Sequence, residues 1–275
     1  MAKKKLSVDE FWGVPFPKDL HEFHAFAKKN KKALDALDLV PMGPLEFLST
    51  GKSPAEARYY NDPPELVTVL GGLIDGLHWG YWFDAPGELE PVVVSYYAND
   101  AFELSVHGGS LFDAARQHLE ALQRDAKSFV KDDPEYADDY RKQLKDLASA
   151  RAAMLSAKKS RVKRTVVAQT RSKIGIVVPK KQYRALAKSD PFEVWNYDPK
   201  EKEVKRQVEG AKKALAEGFP GTALKLGHDL WIYQAFREQS AELLELAYSA
   251  LGREVLRAQL KKAIAWRKKC DSKNG

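Results

Sequence analysis

The chain has 275 residues, 44% hydrophobic and 30% charged, a balance that describes a folded globular protein and excludes disordered and collagen-like classes. Its single cysteine, Cys270, excludes an intramolecular disulfide and a Cys-rich zinc site. With 45 Lys+Arg against 38 Asp+Glu, the net charge is a moderate +7, and no apolar run approaches the ~20 residues of a membrane-spanning helix. The basic start Met1–Lys5 has no apolar segment behind it, so it is not expected to act as a secretory signal. Cysteine scarcity points to a reducing compartment.

In chain order, residues 8–50 read as interrupted helix. Phe16-Pro17-Lys18-Asp19 is an entry turn, followed by Leu20, Phe23, His24 and Ala27 at helical spacing. Residues 55–108 read as β. Pro63-Pro64 excludes helix locally. Leu66–Leu70, His78–Trp82 and Pro91–Tyr97 are short apolar or aromatic runs separated by turn residues, the pattern of a mainly antiparallel sheet. Ser110 is the expected N-cap of a helix whose stripe is Leu111, Phe112, Ala115, His118, Leu119 and Leu122. Asp132-Asp133-Pro134 breaks it. The next helix, from Pro134 to about Leu155, is polar enough to be solvent-exposed or to bridge two domains.

Thr165–Ala168 and Ile174–Val178 predict a small β element. Helix then fits 199–216, with Val204, Val208, Ala211 and Leu215 on one face, and Gly218-Phe219-Pro220-Gly221 ends it. A last periodic run extends from about Tyr233 to Arg267. The fold class is therefore α+β: a mainly antiparallel sheet with flanking helices in the N-terminal half, and a small β element with long helices in the C-terminal half. The division expected is an α+β domain over 8–125, a helical bridge over 126–162 and a mostly helical domain over 163–270.

The chain announces no stand-alone catalytic site. It has no G-x-x-x-x-G-K-[ST] loop and no G-x-S-x-G elbow. His21-x-x-His24 has metal-like spacing but lacks the supporting ligands of a zinc motif. The aromatics of the β block read as core and cross-strand pairs, since no Lys or Arg is interleaved as a base-stacking surface needs. Basic residues gather at Lys158, Lys159, Arg161, Lys163, Arg164, Arg171 and Lys173, and again at Lys261, Lys262, Arg267, Lys268 and Lys269. Their simplest reading is a solvated face.

Several segments, in order, resemble one family. Tyr59-Tyr60-Asn61-Asp62-Pro63-Pro64-Glu65-Leu66 is similar to the Tyr-Asp-Pro-Pro-Glu signature of the histone PARylation factor family, accessory factors of poly(ADP-ribose) polymerases. His78–Pro86, Asn99-Asp100 and Ser110–Ala114 resemble its following signatures. So do Gly175-Ile176-Val177-Val178-Pro179, Tyr183-Arg184-Ala185-Leu186, Leu224–Leu230 and Leu246-Ala247-Tyr248. The resemblance spans roughly residues 11–267.

It implies a role for three residues. The family's catalytic glutamate lies seven residues before its Leu-x-Leu-Gly motif, which falls on Glu217, and its polymerase-facing Tyr-Arg pair falls on Tyr183 and Arg184. Where the family often carries a second carboxylate, this chain has Ala216. The implied activity is that of an accessory factor, not a stand-alone enzyme. It completes the active site of an ADP-ribosyltransferase and directs ADP-ribosylation to serine, with Glu217 as general base. NAD is then the partner's co-substrate, and the chain has no cofactor of its own. The implied partners are a poly(ADP-ribose) polymerase-type transferase and a serine-bearing acceptor. A monomer is expected, with no membrane and no direct nucleic-acid contact. The compartment would be the cytoplasm in a bacterium and the nucleus in a eukaryote.

Local chemistry bears on Glu217 independently. Placed in the last turn of its helix, a carboxylate meets the negative end of the helix dipole, unfavourable by about 0.3–1 kcal/mol. The dipole is expected to raise its pKa, a useful property in a general base. Two other readings remain open: a non-catalytic adaptor or immunity-type binding module, and a nucleic-acid binder using the basic stretch 158–173.

Overall fold

The computed structural model describes residues 6–54, 58–99, 101–155, 157, 160, 162–186 and 200–274. Helix α1 (Val8–Trp12) begins at Ser7, whose side chain accepts the Glu10 N–H while Glu10 reaches back to the Ser7 N–H. Helix α2 (Lys18–Lys29) starts after Pro17 and buries Leu20 and Phe23. Helix α3 (Lys31–Ala36), the short strand β1 (Val40–Pro41) and helix α4 (Gly43–Thr50) follow. On α2, His24 Nε2 pairs with the Ser49 hydroxyl at 3.0 Å.

The sheet is an antiparallel meander in the order β1-β2-β3-β4-β5. Its longer strands are β2 (Leu66–Gly71), β3 (Leu77–Trp82), β4 (Val92–Tyr97) and β5 (Ala101–Gly108). Strands β2 and β3 are buried along their whole length, because both sheet faces are covered. One face carries Val67, Val69, Trp79, Tyr81 and Val93 into the main core. The other carries Leu66, Trp82, Val94 and Tyr96 into a smaller cluster with Leu104 and Ile174. Most aromatics of this block are therefore packing residues, as the sequence pattern indicates, while Tyr97 at the end of β4 is exposed.

Helix α5 (Leu111–Asp132) starts where Ser110 accepts the Phe112 N–H at 3.1 Å. Asp19 of α2 fixes that start. Its carboxylate accepts the Ser110 hydroxyl at 2.8 Å, the Leu111 N–H at 2.8 Å and the Tyr81 hydroxyl of β3 at 2.6 Å. Helix α6 (Ala137–Ala153) lies against α5 and α3. It buries only Ala137, Leu147 and Ala150, so a narrow stripe anchors an otherwise polar helix.

The C-terminal half holds α7 (Glu201–Ala216), α8 (Pro220–Trp231), α9 (Arg237–Ala250) and α10 (Glu254–Asn274). Of the helix read over 199–216, position 199 lies outside the described residues. Helix α8 is buried on nearly every side, as a core helix must be when apolar residues surround its axis. Two readings of the sequence change here. The small β element reduces to a single antiparallel bridge, Ala168 with Ile176. The run from Tyr233 to Arg267 is broken, because the chain turns left-handed at Gly252 (φ +69°) between α9 and α10.

The two halves meet around the loop 59–65. Trp231 donates its indole N–H to the Asn61 carbonyl at 3.0 Å, and Arg267 reaches the carbonyls of Tyr60 (3.1 Å) and Trp231 (3.0 Å). Arg267 is thus not part of a solvated basic tail. Burial lowers its pKa to about 10. Arg164, counted in the other basic run, is equally internal. It holds Asp84 through Nε (2.6 Å) and Nη2 (2.8 Å) and caps the Ile174 and Gly175 carbonyls. Lys158, Lys159 and Arg161 of that run lie outside the described residues.

Candidate functional site

Helix α7 is amphipathic. Val204, Val208, Ala211 and Ala214 are buried, and Leu215 packs half-buried against the same core, so the stripe ends one residue before the exposed Ala216. Glu217 is its C-cap. The Gly218 N–H bonds the Leu215 carbonyl at 3.0 Å, and the Phe219 N–H bonds the Ala214 carbonyl at 2.9 Å. These are the paired bonds of a Schellman ending, which places the residue after the cap in the left-handed region. Gly218 takes that position at φ +90°. The chain then enters α8 directly at Pro220, so Glu217 is fixed on a three-residue corner, Glu217–Phe219, between two helices.

Tyr183 and Arg184 reach the same corner from elsewhere in the chain. A 3-10 turn, Lys180–Gln182, follows Pro179 and releases the chain in extended form at Tyr183. Arg184 is stitched to α8. Its N–H donates to the Thr222 hydroxyl oxygen at 3.2 Å, and that hydroxyl donates to the Arg184 carbonyl at 2.5 Å. Contact this close requires Gly221 on α8. A Cβ there would stand 2.8 Å from Val178 Cγ2 and 3.0 Å from the Gln182 carbonyl oxygen. Tyr183 is half-buried and packs against the core.

Of the three residues indicated by the sequence, Arg184 and Glu217 thus come together, while Tyr183, next to Arg184 in the chain, packs against the core. Arg184 Nη2 lies 2.5 Å from Glu217 Oε2, with the two side chains 47% and 40% exposed. The guanidinium also stands over the Phe219 ring, 4.5 Å from its centroid. Phe219 and Thr222 were not singled out by sequence. Their roles depend on a chain crossing that brings Arg184 against residues far along the chain, Thr222 lying 38 positions away, which no local pattern records. Ala216 is exposed beside Glu217.

The carboxylates of the 59–66 segment are buried acceptors. Asp62 takes the Tyr59 N–H (2.9 Å), the Thr68 hydroxyl (2.6 Å), the Tyr96 hydroxyl (2.6 Å) and His78 Nε2 (3.0 Å). Burial opposes its charge, but His78, Arg58 and Thr68 together hold its pKa below the usual carboxylate range. Glu65 accepts the Tyr248 hydroxyl of α9 and faces His228 Nε2 of α8 at 2.9 Å. It too is held low, by His228 and Tyr248 against burial. These groups lie inside the molecule, Asp62 among the strands and Glu65 between the sheet and α8 and α9, whereas Glu217 and Arg184 face outward.

Among the described residues no helix is long and apolar enough to cross a membrane. Comparison with known proteins matches residues 3–267 to the family described as Histone PARylation factor 1. Histone PARylation factor 1 of Mus musculus is 25% identical, with 90% of this chain and 82% of the relative aligned. The Bos taurus protein of the same name is 26% identical over 92% of this chain and 85% of its own length. The match runs through both halves, from the sheet to the corner that carries Glu217, and on that ground the chain belongs to the Histone PARylation factor 1 family.

Proposed function

We propose that the chain is an accessory factor of a poly(ADP-ribose) polymerase-type ADP-ribosyltransferase, and that it lends Glu217 to the partner as a general base for serine. The observation that carries this reading is the outward-facing Glu217–Arg184 pair on a rigid helix corner, at positions where the family's motifs lead one to look. The transferase binds NAD and cleaves the glycosidic bond to nicotinamide. An acidic acceptor is already ionised and needs no base. A serine hydroxyl is protonated at neutral pH and a weak nucleophile until a base takes its proton. As the serine oxygen bonds the ribose carbon, its proton passes to Glu217 and then to water.

Arg184 has two tasks in this scheme. In the free chain it occupies Glu217 Oε2, and no described side chain bonds Oε1. On docking, its guanidinium turns to a carboxylate of the transferase, the planar bidentate match that arginine provides best. Tyr183 packs alongside at the interface.

The test combines the purified chain, a polymerase, NAD and a serine peptide. Glu217→Gln keeps the size and hydrogen bonding of the side chain but removes its basicity, and serine modification is expected to fall about 100-fold or more, with polymerase binding retained. Undiminished modification by that variant would favour the non-catalytic adaptor reading.

A further inference from the structure

Neither capping nor core packing accounts for Phe219. It is the N-cap of α8, a position that Ser, Thr, Asp or Asn fill best, and it provides no side-chain cap. It is half-buried, yet among the described residues its ring joins neither of the two apolar clusters. The ring lies instead under the Arg184 guanidinium, whose carbon is 4.5 Å from its centroid. The backbone fixes the place of that ring. The Phe219 N–H donates to the Ala214 carbonyl at 2.9 Å, and the Phe219 carbonyl accepts the Thr222 N–H at 3.1 Å. Thr222 also holds the Arg184 backbone through its hydroxyl. Ring and arginine are thus anchored on the same first turn of α8.

We infer that Phe219 is a positioning residue, whose ring holds the Arg184 guanidinium ready for a carboxylate of the transferase. The inference rests on the reading of Arg184 and Glu217 given above and adds the residue that aims the arginine. In the free chain the guanidinium has two contacts, Glu217 Oε2 and the Phe219 ring. A cation beside a carboxylate stabilises its charged form and so lowers its basicity. Glu217 therefore serves best as a base once Arg184 has turned away from it, and the ring is the contact that persists through that turn. A long side chain held by nothing would lose its rotamer freedom on docking. An aromatic face attracts a cation without using its N–H donors. The ring can thus hold the guanidinium while the N–H fork stays free for a bidentate pair. An aliphatic side chain of similar bulk would fill the space without that attraction.

A double-mutant cycle on binding of the full chain to an intact poly(ADP-ribose) polymerase tests this. Phe219→Leu is expected to weaken binding about two- to fivefold, the range of an exposed cation–aromatic contact. Phe219→Trp should bind at least as tightly as the unchanged chain, because tryptophan offers the best ring for a cation. Arg184→Ala should weaken binding further than Phe219→Leu, and adding Phe219→Leu to Arg184→Ala should cost nothing more. In the serine-peptide assay, Phe219→Leu should raise the chain concentration for half-maximal modification by the same factor, with the loss there rather than in the plateau. Three results overturn the inference: binding unchanged in Phe219→Leu, an equal loss from Phe219→Leu when Arg184 is already alanine, or a loss in Phe219→Trp as large as in Phe219→Leu. The second would mean that the ring touches the transferase itself. The two readings fail separately. If Arg184→Ala binds as tightly as the unchanged chain, the role of Arg184 falls and the inference falls with it. If Arg184→Ala weakens binding and Phe219→Leu does not, the inference alone falls. The base is judged by modification in Glu217→Gln, and the cycle by binding, so neither result decides the other.

Discussion

Gly218 shows how one residue sets the site. Its φ of +90° lies in the left-handed region, and nothing stands within 4 Å of where a Cβ would be. A side chain there meets no neighbour, so the penalty is in the backbone alone. Gly218→Ala is expected to lower stability by about 1–2 kcal/mol, seen as a fall of a few degrees in Tm. Gly218→Asn should lose less, because asparagine tolerates that conformation. Either loss is small beside the loss of activity expected for Glu217→Gln, since one variant acts on the turn and the other on the proton acceptor.

At the scale of elements, the site exists because the 178–184 segment lies flat on α8. Gly221 permits this approach. In Gly221→Ala the new methyl must displace Val178 and the Gln182 backbone, and the extended stretch carrying Arg184 moves off the helix. The expected result is a modest loss of stability, about 1–3 kcal/mol, with a larger loss of polymerase-dependent serine modification assayed well below Tm. Activity that falls only in step with the folded fraction would show that α8 and the Arg184 segment are not coupled in this way. Helix α8 makes this coupling specific. It is buried along its length, so a change at its N-terminal turn cannot be absorbed by a shift into solvent.

At the scale of the whole molecule, buried carboxylates hold the sheet together and join it to the C-terminal helices: Asp62 ties the 59–62 loop to β2, β3 and β4, and Glu65 reaches α8 and α9. Asp62 and Glu65 are both held below the usual carboxylate range in the folded chain. Their contribution is therefore fully present above the unfolded-state value near 4, and it is lost as pH falls through the lower folded-state values. Denaturant unfolding from pH 7 to pH 3 should show stability declining on the acid side. Asp62→Asn should flatten that decline and lower stability at pH 7 by about 3 kcal/mol, the usual consequence of removing one member of a buried pair. An acid limb unchanged in the variant would assign the pH dependence to other groups.

Much of this architecture is readable from the sequence because its causes are local. The strands at 66–71, 77–82 and 92–97 announce themselves by β-branched and aromatic runs between turns, and Ser110 and Asp132–Pro134 mark the ends of α5 by capping and by proline. Glu217 is legible as a helix-end carboxylate, and the family motifs single it out. What local pattern does not contain is long-range contact. Arg164 and Arg267 look like solvated charge until the fold supplies Asp84 and two carbonyls at their ends. The Tyr59–Leu66 segment reads as a signature, yet Asp62 and Glu65 act as interior acceptors only because Tyr96, His78, His228 and Tyr248 converge on them. The sequence by itself determined the helix that ends at Glu217. Only the tertiary structure set Arg184 against it, because the hydrogen bonds that hold that arginine are made across the chain to Thr222.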